Sequence, residues 1–171
     1  MSDAEPASTP LVQGSRLRKF LVVADDSPEF STALRYACAR AKATGGRITM
    51  LRVLEPAVFE HWSGVRDEME RQQRAEAETL LQKFAAQVMD ATGHPPEFVV
   101  RDDGDVRGAI RTVVLEDPEI KILVLAAATH GRGPGPLVSA VCKEGVNNHG
   151  RKLPVTIVPG DLSDEEIVEL S

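Results

Sequence analysis

Apolar runs and amphipathic segments alternate along the chain. "KFLVVAD" is almost continuously apolar, which is typical of a strand covered on both faces in a parallel sheet. "RITMLRV", "KILVLAAA" and "LPVTIVP" are predicted to form strands as well. "PEFVVRD" adds a further strand. Because helical patterns separate these segments, the sequence predicts an open parallel α/β sheet with right-handed crossovers. The predicted strands cover residues 19–25, 47–53, 96–102, 121–128 and 153–159.

The first predicted helix follows the first strand and carries its own start and stop signals. Ser27 is the predicted N-cap, Pro28 takes the first helical position, and Glu29 places an acid in the first turn. Gly45 or Gly46 ends the helix, because glycine tolerates the left-handed backbone of a C-cap.

The later helices differ in length and charge. A long helical pattern covers residues 60–92, and its charged first half is predicted either to project from the body or to be mobile. Shorter helices follow in "DVRGAIRTVVLED" and "LVSAVCKEGVNNHG". The second half of the long helix is expected to pack on the sheet through Leu80, Leu81, Phe84, Val88 and Met89.

The pattern divides the chain into three parts. Residues 1–16 are predicted to form a flexible arm, 17–160 a single domain, and 161–171 an acidic tail. Two interpretations of the tail remain open. It either forms an amphipathic helix from Ser163, whose "SDEE" start resembles a capping box, and docks a protein partner, or it is solvated and disordered.

Composition narrows the function classes. The 171 residues carry 26 acids and 20 bases, a formal charge of −6, and the folded body lacks the basic face that a nucleic-acid binder needs. The first fifteen residues lack the charged start and apolar block of a signal peptide, and no apolar run approaches membrane-spanning length. A cytoplasmic protein without nucleic-acid or membrane partners is expected.

The cysteines and histidines do not form a recognisable site. Cys38 and Cys142 are far apart and the four histidines lack ligand spacing, so no metal or disulfide is expected. Cys38 falls in the apolar stripe of the first helix and is predicted to be core. Cys142 is predicted to be partly buried, and His130 to be a loop residue, so neither is assigned catalysis.

The segment after the fourth strand, "ATHGRGPGP", is rich in glycine and lies where ligands bind in open sheets. Gly131, Gly133 and Gly135 permit a nest of backbone N–H groups for an anion, and Arg132 adds positive charge. Neither GxxxxGK[ST] nor GxGxxG occurs there. A plain turn is the alternative interpretation.

Five stretches in order, "VVADDSPEFSTALRYA", "LRVLEP", "DGDVRGAI", "ILVLAAATHGRGPG" and "LPVTIVPG", resemble the universal stress protein (UspA-like) family over residues 18–160. The resemblance implies a five-stranded parallel sheet of order 3-2-1-4-5 with helices on both faces. Such a fold is Rossmann-like and similar to that of adenine nucleotide alpha hydrolases. It also implies a homodimer in which the final strands pair, with interface candidates Val155, Thr156, Ile157 and Val158.

The same resemblance identifies nucleotide-binding candidates. The family's ATP pattern, Gly, two residues, Gly, nine residues, then Gly and Ser or Thr, falls on Ala128, Gly131, Val141 and Cys142, and one position agrees. A β-branched side chain at Val141 opposes a close approach of phosphate. Further family positions are Asp25, Val53, Gly104 and Asp105, with helix capping as the favoured role of Asp105. Thr129, Arg132 and Gly133 complete the candidates in the loop.

These observations imply a non-enzymatic, homodimeric stress-response or regulatory protein with a degenerate ATP motif and weak or absent ATP binding. The first alternative is a binder of ATP or AMP, with Mg, that uses the 128–142 loop and hydrolyses ATP slowly. The second is a partner-docking module that uses the acidic tail.

Phe59 and Trp62, after the second strand, are expected either to form a lid over the cleft or to pack.

Overall fold

A five-stranded parallel sheet organises the chain. The computed structural model describes residues 17–56, 63–102, 104–131, 133–148 and 151–171. The strands are β1 (Lys19–Val23), β2 (Arg47–Val53), β3 (Glu97–Arg101), β4 (Ile120–Ala127) and β7 (Val155–Pro159), and a hairpin of β5 (Asn147–Asn148) and β6 (Arg151–Lys152) precedes β7. The order is β3-β2-β1-β4-β7. Since β7 is the fifth strand of this sheet, the predicted order and fold class are confirmed.

In the part of the chain that the structure describes, five helices follow the strands. They are α1 (Phe30–Thr44), α2 (Ser63–Thr92), α3 (Val106–Glu116), α4 (Pro136–Glu144) and α5 (Asp164–Leu170). Helices cover both faces of the sheet, so both sides of β1 are buried. Phe20 and Val22 pack with α1 and α2, whereas Leu21 packs with α3 and α4. A near-continuous apolar strand is the result of this two-sided burial.

The predicted start of α1 is wrong. The helix begins at Phe30, and the N-cap position belongs to Glu29, whose side chain makes no capping hydrogen bond. The Ser27 hydroxyl is engaged elsewhere, because it donates to Asp25 Oδ1 at 2.5 Å. Pro28 therefore lies in the turn before the helix. The predicted end at Gly45 is confirmed, with φ of 66° and an N–H that donates to Ala41 O.

Helix α2 is continuous, and a narrow buried stripe fixes it to the body. Ala77, Leu81 and Val88 are buried, while most of the charged first half is exposed, as predicted. Met89 is 48 % exposed. The prediction that it packs on the sheet is wrong, because it follows Val88 by one residue and so lies about 100° around the helix. Phe59 and Trp62 lie outside the described residues.

Helix α4 is shorter than predicted. It ends at Glu144, and Gly145 has a φ of 68° while its N–H donates to Val141 O. That left-handed residue stops the helix, and the chain then forms β5, which the sequence pattern did not indicate. β5 pairs antiparallel with β6. Arg151 in β6 donates to the carbonyl oxygens of Val114, Asp117, Pro118 and Ile120, which ties the hairpin to the end of α3.

The last eleven residues end in a helix, so the second interpretation of the tail, a disordered segment, does not describe them. Ser163 accepts a hydrogen bond from the Glu166 N–H at 3.2 Å, and the Glu166 carboxylate accepts one from the Ser163 N–H at 2.8 Å. This reciprocal pair is the predicted capping box. Ile167 is 4 % exposed, so the helix packs on the body.

A buried lysine organises the amino edge of the sheet. Lys19 is 7 % exposed, and its Nζ lies 2.8 Å from Glu97, 2.9 Å from Asp117 and 3.1 Å from Glu119. Burial alone lowers the pKa of Lys19, but the hydrogen bonds to the three carboxylates outweigh it and hold that pKa above its ordinary value.

None of the described helices has the length and apolar character needed to cross a membrane.

Candidate functional site

The carboxyl ends of the parallel strands share one edge of the sheet. The loops that follow β1 to β4 gather there with the first turns of α1, α3 and α4. From β1 the chain proceeds towards β2 on one side, and from β4 towards β7 on the other. Such a reversal opens a crevice in which ligands bind in open α/β sheets. Two cavities open at this edge, and Asp25 lines both.

The first, the β1–β4 cavity, has a volume of about 200 Å³. Its wall is mainly apolar, and its charged lining residues, Asp25 and Glu29, are both acidic. No cationic side chain among the described residues lines it. The volume suits a small ring system, and the charge disfavours an anion. The lining residues are Val23, Asp25, Ser27, Glu29, Phe30, Ala33, Val124, Leu125, Ala126, Ala128, Pro134, Gly135, Pro136, Leu137 and Val138.

The second, the β1–β2 cavity, has a volume of about 630 Å³ and lies between the ends of β1 and β2, α2 and the start of α3. Val53 and Gly104 line it together with Asp25, so the structure brings these three family positions to one cavity. Its walls carry four carboxylates and one guanidinium. The lining residues are Asp25, Asp26, Arg52, Val53, Leu54, Glu55, Gln73, Glu76, Ala77, Leu80, Gly104 and Val106.

The arginines near this edge are paired with acids. Arg52 Nη2 lies 2.9 Å from Asp26 Oδ2, and its Nη1 donates to Ala24 O at 3.0 Å. An adjoining cavity of about 530 Å³ is lined by Arg66, Arg71 and Arg74. Their carboxylate partners are Glu70 at 3.6 Å, Glu68 at 2.5 Å and Asp102 at 3.8 Å, respectively. A phosphate would compete with these carboxylates for each arginine.

Asp25 is held by its own turn. Its Oδ1 accepts hydrogen bonds from the Ser27 N–H at 3.0 Å and from the Ser27 hydroxyl at 2.5 Å. Oδ1 is therefore occupied, while the carboxylate itself remains exposed. The turn fixes the Asp25 side chain at the boundary between the two cavities. This position allows it to contact a ligand in either cavity.

The glycine loop is closed by its own backbone. The Ala128 N–H donates to Pro134 O at 3.2 Å. Gly131, Gly133 and Gly135 have φ values of 111°, 98° and 96°, and a Cβ added to any of them would meet no heavy atom within 4 Å. Backbone conformation rather than crowding therefore requires glycine here. Gly131 and Gly133 are exposed, as is Thr129.

Val141 and Cys142, the last two positions of the ATP pattern, line neither of the two cavities. Val141 is 5 % exposed and belongs to the core cluster that contains Leu21 and Leu123. Cys142 is exposed. The prediction that Cys142 is partly buried is wrong, because the buried stripe of α4 passes through Val138 and Val141. Cys142 lies about 100° from Val141 around the helix.

Of the nine nucleotide candidates, Asp25, Val53 and Ala128 line the two cavities. Thr129, Gly131, Gly133 and Cys142 lie on exposed surface, Val141 lies in the core, and Arg132 falls outside the described residues. His130 is exposed, like Cys142, and lines neither cavity. Across the described ranges, no group of three or more His, Cys, Asp or Glu side chains could hold a metal ion.

Gly104 and Asp105 shape the start of α3. Gly104 has a φ of 67°, and an added Cβ would lie 2.6 Å from the Pro56 ring, so the turn needs glycine for both conformation and space. Asp105 is the N-cap, and its side chain accepts a hydrogen bond from the Arg107 N–H at 3.1 Å. Capping, the favoured interpretation of Asp105, is confirmed.

Glu29 is the cavity residue that sequence reasoning missed. The pattern assigned it to the first turn of α1, where an acid is common. In the structure it precedes the helix and is one of the residues that line the β1–β4 cavity. Its neighbour Phe30 lines the same wall and meets Phe84 of α2 edge to face, with ring centroids 5.0 Å apart. The shift of the helix start by a few residues moved Glu29 from a surface helix position to the site.

The dimer candidates lie in an edge strand. Among the described residues, β7 pairs with β4 and with no other strand. Val155 and Thr156 are half-buried, Ile157 is 37 % exposed, and Val158 is buried. An edge of this kind offers unpaired backbone groups to another strand.

Comparison with protein families agrees with this geometry. The model of the universal stress protein family matches residues 16–159. The chain belongs to the universal stress protein family. The matched segment includes the whole sheet and ends before α5. Comparison with curated protein sequences finds no match for this chain.

Solved structures of universal stress proteins share the fold. The protein UspA from Lactobacillus plantarum has a TM-score of 0.67 and 20 % identity, covering 84 % of this chain and 98 % of its own. A family protein from Burkholderia pseudomallei gives 0.62 and 19 %, covering 85 % and 98 %. One from Arabidopsis thaliana, described with AMP bound, gives 0.55 and 19 %, covering 86 % and 94 %.

Proposed function

We propose that this chain is a cytoplasmic, homodimeric universal stress protein of the stress-response or regulatory kind, whose cleft binds ATP weakly or not at all. The observation that carries the proposal is the wall of the β1–β4 cavity. Its charged lining residues, Asp25 and Glu29, are both acidic, and among the described residues it has no cationic one. A triphosphate placed there meets like charge in a partly enclosed site, where repulsion is strongest.

The position of Val141 supports the same conclusion. A phosphate-binding glycine at the start of a helix works because the backbone N–H groups face the anion with no side chain between. Val141 instead lies inside α4, five residues after the helix begins at Pro136, and its side chain belongs to the core. The neighbouring thiol of Cys142 is a weak donor in place of a hydroxyl. The proposal assigns no catalytic residue to this chain.

The alternative is an adenine-nucleotide binder that uses residues 128–142, with ATP or AMP as ligand, Mg as counterion and slow hydrolysis of ATP. Two observations favour it. The glycines keep the positive φ values of a nest, and Ala128 lines the β1–β4 cavity beside Asp25. The relative from Arabidopsis thaliana is described with AMP bound. AMP carries less negative charge than ATP, so the acidic wall penalises it less.

Ligand-induced thermal stabilisation separates the two readings of the cleft. A ligand that binds only the folded state raises the Tm, and the stabilisation grows with the logarithm of the ligand concentration divided by its Kd. At equal concentrations we expect AMP and adenosine to raise the Tm at least as much as Mg-ATP. A larger rise with Mg-ATP, abolished in Gly131→Trp but retained in the loop control Thr129→Ser, would support the phosphate cradle and overturn the main proposal.

The homodimer is proposed to form through β7. An exposed edge strand with the sequence "VTIV" is prone to pair with another strand, and a second copy satisfies its backbone groups. Ile157→Lys should then shift the mass measured by light scattering from dimer to monomer. Leu115→Lys, which alters a 51 % exposed side chain on α3, is the matched control. A dimer that survives Ile157→Lys would exclude this strand as the interface.

Partner docking through the tail remains a second candidate. One observation favours it: α5 leaves Val168 76 % and Leu170 59 % exposed among the acids Glu165 and Glu169. Exposed apolar side chains on a folded helix suit a partner with an apolar groove and a basic rim. Deletion of residues 161–171 should abolish capture of that partner while the dimer persists. Unchanged capture after deletion would exclude the tail as the docking site.

A further inference from the structure

Helix α5 is attached to α1 by a small set of contacts. Asp164 forms an ion pair with Arg35, and Arg35 Nη2 also donates to Leu162 O at 3.3 Å. Arg40 donates to the backbone carbonyl of Ser171. Between these two polar contacts Ile167 is buried, with 4 % of its side chain exposed. The helix is therefore held at both ends and in the middle.

The segment that leads into α5 is fixed to the wall of the β1–β4 cavity. The Thr32 hydroxyl donates to Gly160 O at 2.8 Å, and the Gly160 N–H donates to Ala127 O at 2.9 Å. Thr32 is 4 % exposed and lies in α1 between Phe30 and Ala33, which both line the cavity. A Cβ at Gly160 would collide with Glu29, another lining residue. Gly160, the residue directly before the tail, thus contacts the back of the same turn that forms the wall.

The attachment is weaker than the sheet behind it. A helix of seven residues is not stable alone in water. The Asp164 side chain is 79 % exposed, and exposed ion pairs contribute little. Docking of α5 therefore depends mainly on Ile167. Segments with few buried contacts open locally long before the core unfolds.

We propose that α5 is a releasable strap: while docked it holds Glu29, Phe30 and Ala33 in place, and its release opens the β1–β4 cavity. Gly160 is the coupling point, because its carbonyl and its N–H join the first turns of α1 to the end of β4. The strap lies beyond the residues matched by the family model. The inference does not require a nucleotide as the ligand of the cavity.

A pair of substitutions on one helix tests the proposal. Ile167→Asp places a charge in the buried contact, whereas Val168→Asp makes the same chemical change at a site that is 76 % exposed. The readout is amide hydrogen exchange in full-length protein. We expect Ile167→Asp to accelerate exchange about tenfold or more in residues 29–34 and 124–128, with residues 47–53 and 97–101 unchanged. Val168→Asp should match wild type throughout.

A second variant, truncated after Gly160, removes the strap whatever the effect of Ile167→Asp. It should reproduce the accelerated exchange in residues 29–34 and 124–128. Wild-type protection of those residues in the truncated chain would overturn the proposal, because the cavity wall would then stand without α5. Loss of protection across β2 and β3 as well would also overturn it, since α5 would then be part of the global core rather than a local strap.

Discussion

Asp25 and Glu29 line the same cavity, four residues apart, one in the turn after β1 and the other just before α1. Among the described residues this pair gives the β1–β4 cavity its charge. This universal stress protein domain therefore presents two acidic residues at a cavity on the carboxyl edge of its sheet, and a phosphate placed in that cavity would meet like charge. The charge of this wall is the basis of the proposed discrimination against ATP.

Removal of one of these charges should improve ATP binding. Glu29→Gln keeps the shape of the side chain and is expected to raise the association constant for Mg-ATP about three- to tenfold at low salt, because like-charge repulsion falls. The gain should shrink as salt is added, and adenosine should show none. Thermophoresis measures the association constants for Mg-ATP at low salt, for Mg-ATP with added salt, and for adenosine. The control variant is Glu78→Gln, at an exposed position on α2. An equal gain for adenosine would show that charge is not the cause.

Restoration of glycine at the third motif position should destabilise the protein. Val141→Gly is expected to lower the free energy of unfolding by about 3–4 kcal/mol, from the lost core side chain and the poor helix propensity of glycine. Cys142→Gly, at the exposed neighbour, should cost about 1 kcal/mol or less. Urea denaturation measures both. Equal losses would mean that Val141 does not support the core.

The two thiols should react at different rates. Burial raises the pKa of Cys38 to about 12, so its thiolate is scarce at neutral pH, whereas Cys142 is exposed. At pH 8 we expect a thiol reagent such as DTNB to modify one cysteine in the folded protein and both after denaturation. Cys142→Ser should remove the fast reaction. A fast reaction that persists in that variant would place Cys38 at the surface.

Lys19 should contribute to stability in a pH-dependent way. Lys19→Met leaves three carboxylates without their partner and is expected to cost about 1–3 kcal/mol, since two of the carboxylates are about half exposed. Because the pKa of Lys19 is raised in the folded state, its contribution is complete below the unfolded pKa of about 10.4 and is lost at more alkaline pH.

Denaturation of wild type and Lys19→Met between pH 7 and pH 12 checks this prediction. The gap in the free energy of unfolding should stay constant up to about pH 10 and narrow above it. Lys121→Met, on the next strand over, is a suitable control because the Nζ of Lys121 donates to a loop carbonyl of Pro118 and lies at an exposed position. A gap that grows with pH would contradict the assigned direction of the shift.

Sequence patterns predicted the sheet well because continuous apolar runs report burial on both faces directly. Phe20, Leu21 and Val22 are all almost completely buried from solvent. Few structures other than a central strand bury three consecutive side chains in this way. The start of α1 was less predictable, since Ser27 had two available partners. A local hydrogen bond to Asp25 displaced the expected cap by two residues, which no periodicity reveals.

The site was predictable only in part for a related reason. Asp25, Val53 and Ala128 lie at strand ends, so the parallel sheet alone brings them to one edge. The role of Glu29 depends on where α1 begins, and the attachment of α5 depends on contacts such as Thr32 with Gly160, 128 residues apart in the chain. Tertiary contacts at that separation leave no periodic signal in the sequence.

The central claim, that this cleft disfavours ATP, is tested most directly by calorimetric titration of Mg-ATP into the wild-type protein after any copurifying ligand has been removed. A dimer of native structure should be confirmed in the same sample by light scattering. The account predicts no saturable binding with a Kd below about 1 mM. A saturable isotherm with a micromolar Kd would contradict it and would assign the phosphates to the loop of Gly131 despite the acidic wall.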